Sequence, residues 1–491
     1  MKCALGSLFG CITVFLYLPC NVPENPKTPS YINGETVPTS QPSASLPLLQ
    51  RSIASSIFRM GFPSMIGFLT LNVYTLVDLF WLGKLGEQHV AAITLFEGIY
   101  FLFFAVNEMV DMGALAVISR RFGEEDYRLT NAAIKNGFLL KIISACIFGF
   151  LGFLFLKPLL VLIGAEDEVL ELAIRYGRIM LIALMFRFGL ESIYSIFRSI
   201  EAPLTAMYIM ISGMVLNIIL DPMLIFGWGF LPPLGILGAA IASVLSFACT
   251  TVIGLWLLSS GRLSIRIKLG NGIPVQWKSM LHMLKIGWPV AVIFSSFSFA
   301  EFIVITIIAD LGTRVIAIYG MGLRLLMVGI LCMDGLGRGI SPLIGNILGI
   351  GLQKRAWRTA WQAQFIGLVI ISSFAICIFS FAEPITRAFF QDEVMVVMGV
   401  QMLCIISLSL PLIGLYIIIE SIFRGAGDNL PPMIIAVVSL WGLHVPAIIL
   451  MTRKFEFDQN AIWWIWVISS FLEVSVIFYW YLKGNWAKKE V

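Results

Sequence analysis

Within the apolar run LNIILDPMLIFG (216–227) stand one carboxylate, Asp221, and one amide, Asn217, four residues before it. On a helix that spacing puts both side chains on one face, a turn apart. Tyr74 and Asp78 repeat the spacing in another apolar run, with Asn72 close by. If the two faces meet, two carboxyls, an amide and a phenol converge. Such a set can hold Na⁺ through oxygen ligands, or keep a proton, because two adjacent like charges resist ionising together. Pro222 removes the helix hydrogen bond to the carbonyl of Ile218 and predicts a bend beside the carboxylate. The competing reading is a pair of buried carboxylates satisfied by Asn, Tyr and Ser neighbours in a rigid bundle.

The elements that position these residues are membrane spans. Of 491 residues, 59% are hydrophobic and 13% charged, and the mean hydropathy is +0.92, which excludes a soluble globular protein. Crossing the hydrocarbon core takes about 20 apolar residues, and twelve such stretches follow residue 50, from 56–82 to 461–482. Strand-like alternation is absent, so the expected fold is all-α, a twelve-helix integral membrane protein. A carboxylate at mid-membrane costs about 2.5–3.5 kcal/mol on insertion scales, so every acid in a span needs a reason. Besides Asp78 and Asp221 these are Glu108 and Asp111 in span 2, Glu191 in span 4, Glu301 in span 7, Asp334 in span 8 and Glu420 in span 10. Acids facing a cavity favour cationic ligands; alternatively they pair with Arg187, Arg324 or Arg338, which also lie in spans.

The chain repeats itself at an offset of 226. Gly61 and Pro63 meet Gly287 and Pro289, Gly113 and Gly123 meet Gly339 and Gly349, and Phe197-Arg198 meets Phe423-Arg424. Glycine and proline fix backbone geometry, so this register marks a duplication of six spans rather than shared greasiness. Six is even, so the halves enter the membrane in the same sense, an architecture that places a substrate cavity between repeats. The expected organisation is a first lobe over 51–258, a linker over 259–282 and a second lobe over 283–491 with its basic tail. Arg262, Arg266, Lys268, Lys278 and Lys285 cluster after span 6 with no acid among them, so by the positive-inside rule this side and both bundle ends are cytoplasmic. Spread over juxtamembrane loops, these charges do not form a nucleic-acid surface. Residues 1–50 read as an extension, an apolar run of signal-peptide form followed by a Pro/Ser/Thr-rich linker. It is a cleaved signal, an extra helix or the product of an early start codon, of which a dispensable extension fits the inside placement best. Eight cysteines and three histidines show no metal-ligand spacing, and no nucleophile–base pair or phosphate loop supports an enzyme.

The stretch LNIILDPMLIFGWGFLPPLGILGAAIAS (216–243) resembles the span 5 to span 6 signature of the MATE (multidrug and toxic compound extrusion) transporters. GFP (61–63) with VDLFWLGKLG (77–86), IGWP (286–289) and GLGRGISPLIGNILG (335–349) agree with it. The DinF-like branch is the most similar. The resemblance implies a cation-coupled antiporter, H⁺ or Na⁺ entering as small amphipathic or cationic compounds leave, with no other cofactor. In that branch the ion site lies in the first half, and its residues match Tyr74, Asp78, Asn217 and Asp221, with Ser243 standing for the family's Thr. Na⁺, if it is the coupling ion, would sit at Asp78, Asn217 and Asp221. Glu108, Asp111, Glu191, Tyr194, Glu301 and Asp334 are the further candidates for the cavity wall. Where other branches place a glutamate in span 7 this chain has Phe297, with Glu301 one turn on. The expected setting is a monomer in the inner membrane of a bacterium. The rival reading within transport is a flippase for lipid-linked saccharides, which the twelve core spans and clustered acids disfavour.

Overall fold

The computed structural model describes the backbone of residues 30–32 and 35–37, and then residues 51–228, 232–260, 275–455 and 458–491. The apolar run 1–20 and most of the basic linker lie outside the described residues. Within 1–50, Ser30–Ile32 and Glu35–Val37 pair as a short antiparallel hairpin. Over residues 51–491 the described elements are helices joined by short connections. Among the described residues, eleven spans are long and apolar enough to cross a membrane, and the bent pair Asp167–Ile182 and Leu184–Ser199 brings the number to twelve. Phe150, Phe302 and Trp256 are among many large apolar side chains pointing outwards, the surface a lipid-embedded bundle presents.

Several helices outrun their apolar windows. The second runs Glu87–Gly123 and carries Arg120 and Arg121 in its last turn. The seventh starts at Trp277, so residues 277–282, assigned above to the linker, are its first turns. Hydropathy falls where charges begin, whereas the backbone hydrogen bonds of a helix carry on into the headgroup layer, so such windows underestimate helix length. The helix Pro203–Ile225 likewise continues past Pro222 to Ile225; the proline's missing donor costs one bond near an end that would soon fray anyway.

Spans 4 and 10 are broken at equivalent places. Span 4 bends by 52° at Ala183. The tenth span passes from Glu393–Ser407 to Leu410–Ala426 around Ser409, and 183 + 226 is 409. The sharp turns entering spans 2 and 8 are also equivalent: Gly86 and Gly312 have φ of 132° and 107°, a region open in practice only to glycine.

Close packing between spans falls on the repeated glycines. A Cβ on Gly287 would collide with the carbonyl of Met109, and one on Gly113 with that of Met283, so spans 2 and 7 touch backbone to backbone. Gly339 is pressed in the same way against Met60, joining spans 8 and 1. Where spans 2 and 8 cross, Gly123 meets the Asn346 carbonyl and Gly349 meets that of Arg120, two contacts whose partners differ by 226 in both members. Small residues permit this approach in lipid, where van der Waals packing rather than hydrophobicity joins helices. Gly287→Ala should therefore lower stability by about 1–3 kcal/mol, the usual cost of overpacking. Gly98→Ala, with open space around it, should not. Thermal unfolding in detergent checks this, and equal melting of the two variants would contradict the backbone contact.

Candidate functional site

Spans 1, 5 and 6 bring together the residues singled out by their spacing. The Tyr74 hydroxyl donates to Ser243 Oγ at 2.6 Å, tying span 1 to span 6, and is close enough to Asp78 to feel its charge. Asn217 Nδ2 donates to Asp221 Oδ1 at 3.1 Å, the one-turn pairing expected along a helix. The carboxyls of Asp78 and Asp221 lie close enough for their charges to interact. Asn217, Asp221 and Ser243 are fully buried, and Asp78 nearly so. Three acceptors here have no donor: Asp78 Oδ1, Asp221 Oδ2 and Asn217 Oδ1. Buried acceptors without donors are costly, and two carboxyls hydrogen-bond to each other only when one holds a proton. The set is therefore chemically fitted to a proton or to a small hard cation with oxygen ligands.

Beside this cluster is a cavity of about 200 Å³ reached by Tyr74, Glu108, Asp111, Glu191 and Tyr194. Glu301 and Asp334 do not line it. Glu301 accepts from the Tyr319 hydroxyl at 3.0 Å within the second half. Asp334 sits behind the wall between Arg338 at 3.0 Å and Arg424 at 3.3 Å. Arg338 reaches on to Glu108 at 3.2 Å, joining span 8 to span 2, and Arg424 holds Glu420 at 2.7 Å. Glu108 and Asp334 thus share a guanidinium instead of facing each other across open space. Asp111 pairs with Lys141 at 3.1 Å. Lys141 also donates to Asn107 at 2.6 Å, and Asn107 donates in turn to Glu191. Arg324, considered above as a partner for these acids, is exposed.

Sequence reading missed four members of this region. Lys141 lies inside an apolar span, a position that already required a buried acid. Glu97 approaches Asp78 and Arg187 closely enough for their charges to interact, but near the end of its span it passes for a loop residue. Tyr176 belongs to the same neighbourhood. Arg198 is 4% exposed and borders the cavity, because its helix runs on to Ser199.

The MatE family signature matches residues 63–223 and 289–450. A probable multidrug resistance protein, NorM, of Thermotoga maritima is 24% identical over 448 residues, 89% of this chain and 94% of that protein. The multidrug export protein MepA of Staphylococcus aureus is 25% identical over 442 residues, 88% of this chain and 94% of its own. In fold, the chain superposes on a MOP superfamily transporter from Pyrococcus furiosus with a TM-score of 0.83 at 23% identity, covering 92% of this chain and all of that one. A multidrug resistance MATE transporter in an outward-facing conformation gives 0.83 at 22% identity, with 92% and 100% covered. The two signature matches begin 226 residues apart, one in each half of the chain. The chain belongs to the MATE family, multi-pass integral membrane proteins that are transporters and not enzymes.

Proposed function

We propose that this transporter exports small amphipathic compounds by antiport, driven by H⁺ or Na⁺ binding at Asp78 and Asp221. The observation that carries this reading is the meeting of two buried carboxyls that each have an oxygen lacking a donor, as does the amide of Asn217. The names of the relatives, which describe multidrug export and resistance, supply the direction and kind of cargo. In the proton-bound form one carboxyl donates to the other, and spans 1 and 5 pack closely. Loss of the proton leaves two facing charges, which favours separation of those spans. Occupancy thereby selects between two arrangements, as a ligand must if it is to drive a change. Tyr74 and Ser243 orient Asp78, and Asn217 orients Asp221. The ion is cargo here, and no further cofactor takes part. The loop charges favour a bacterial inner membrane with both bundle ends inside, and the protein acts as a monomer.

The test is transport of a cationic dye by purified protein in proteoliposomes, with Na⁺ and H⁺ gradients imposed separately. Dye flux is expected to follow one gradient and to collapse when that gradient alone is dissipated. Flux indifferent to both would refute antiport.

A further inference from the structure

The cavity wall carries three acids and three guanidiniums, and the acids are already engaged. Glu108 is held by Arg338 and Asp111 by Lys141, while Glu191 accepts from Asn107. Arg187 and Arg198 remain. Among the described residues neither has a carboxylate at ion-pairing distance. Arg187 sits over Tyr100, 3.9 Å from the ring centre, and 5.7 Å from that of Phe247. A guanidinium stacked through its face keeps its edge donors free for a planar anion. Glu97 and Glu191 are its nearby acids, neither in contact. Arg198 is buried with Nε lacking any acceptor, and it feels the like charge of Arg338 as well as Asp111, Glu108 and Asp334. An unpaired cation in such a place is costly unless something brings it an anion.

We infer that Arg187 and Arg198 form an oxyanion subsite, and that the substrates include amphipathic compounds with a carboxylate or phosphate attached to an aromatic or apolar body. The body has walls to meet: Phe68, Phe104, Tyr194 and Phe247 all border the cavity. The inference rests on the export reading above and narrows it, because a wholly acidic cavity would select simple cations, whereas this one selects zwitterions and organic anions.

Rhodamine B and its ethyl ester differ only in whether the carboxylate is free, and their binding to detergent-purified protein can be read by fluorescence polarisation. Wild type is expected to bind rhodamine B at least about tenfold more tightly than the ester, the scale of one charge-assisted hydrogen bond. Arg198→Gln and Arg187→Gln should each weaken rhodamine B about tenfold more than they weaken the ester, with Arg→Lys at either position intermediate. Equal or tighter binding of the ester by wild type overturns the subsite without needing any variant, and so does loss that is the same for both dyes. Displacement of rhodamine B by 2-naphthoate supports a soluble organic anion; displacement by dioctanoyl phosphatidate alone reassigns the anion to a lipid headgroup and overturns the soluble form. Binding needs no ion gradient, so the readings separate. Carboxylate-dependent binding with gradient-independent flux would sink antiport and keep the subsite, and gradient-driven flux of the ester with no preference for the carboxylate would do the reverse.

Discussion

Asp221→Asn should fold, bind dye and export almost nothing against a gradient, with ion-driven flux down by about two orders of magnitude because the two conformations no longer differ in affinity for the coupling ion. The substitution keeps the shape of the side chain and one carbonyl oxygen, so the hydrogen bond from Asn217, 3.1 Å long in the native chain, persists. The new amide nitrogen points where Asp221 Oδ2 had no partner and can donate permanently to Asp78. That contact copies the proton-shared pair and cannot be undone by losing a proton, so the variant is held in the ion-bound arrangement. Asp78→Asn should behave in the same way, since the pair is reciprocal. Tyr74→Phe, which removes only the donor to Ser243 at 2.6 Å, should slow transport by less than either. Flux in proteoliposomes, alongside dye binding in detergent, distinguishes a coupling defect from a misfolded protein. Wild-type export by Asp221→Asn would mean that the pair is structural.

How much of this arrangement was legible beforehand depended on the range of the interactions involved. The pairs Asn217/Asp221 and Tyr74/Asp78 are four residues apart, and helix geometry alone places each pair on a common face. That the two faces meet is a matter of tertiary packing, which spacing leaves open and resemblance supplied. Glycine positions were informative for a different reason: the register of Gly113 with Gly339 and of Gly123 with Gly349 recorded helix crossings, because only glycine admits the neighbouring carbonyl there. The bend at Ala183 was invisible, since no Gly or Pro marks it, although Pro411 marks the equivalent break in the second half. The partners of Glu108 were undecided among three arginines, and the choice of Arg338 is set by the crossing of spans 2 and 8, which no local pattern encodes. Arg198 was missed because an apolar window ends where a charge begins, and the helix does not.

The same crossing predicts the largest stability effect. Arg338 is 7% exposed and bridges Glu108 at 3.2 Å and Asp334 at 3.0 Å, so its removal strands charge on both sides. Breaking a buried pair from one side costs about 3–5 kcal/mol, most of it the penalty of the partner left behind. Arg338→Met should reach that range, for Glu108 already has one oxygen without a donor and would lose its ion-pair partner, while Asp334 retains Arg424 at 3.3 Å. Glu108→Gln should cost far less, because Arg338 keeps Asp334 and gains a neutral acceptor. The double variant Glu108→Gln/Arg338→Met then discriminates between the sources of the loss. If unpaired charge is the cause, the double variant melts above Arg338→Met alone, a non-additivity of the kind neighbouring charges show. If the loss came instead from the packing of the guanidinium over Phe68, 4.5 Å from its ring centre, the double variant would melt no higher than the single. The first outcome would identify the bridge as an electrostatic clasp between spans 2 and 8. Because Gly123 and Gly349 already bring those spans together backbone to backbone, the clasp is then a determinant of register and conformational choice, and glycine packing supplies the adhesion.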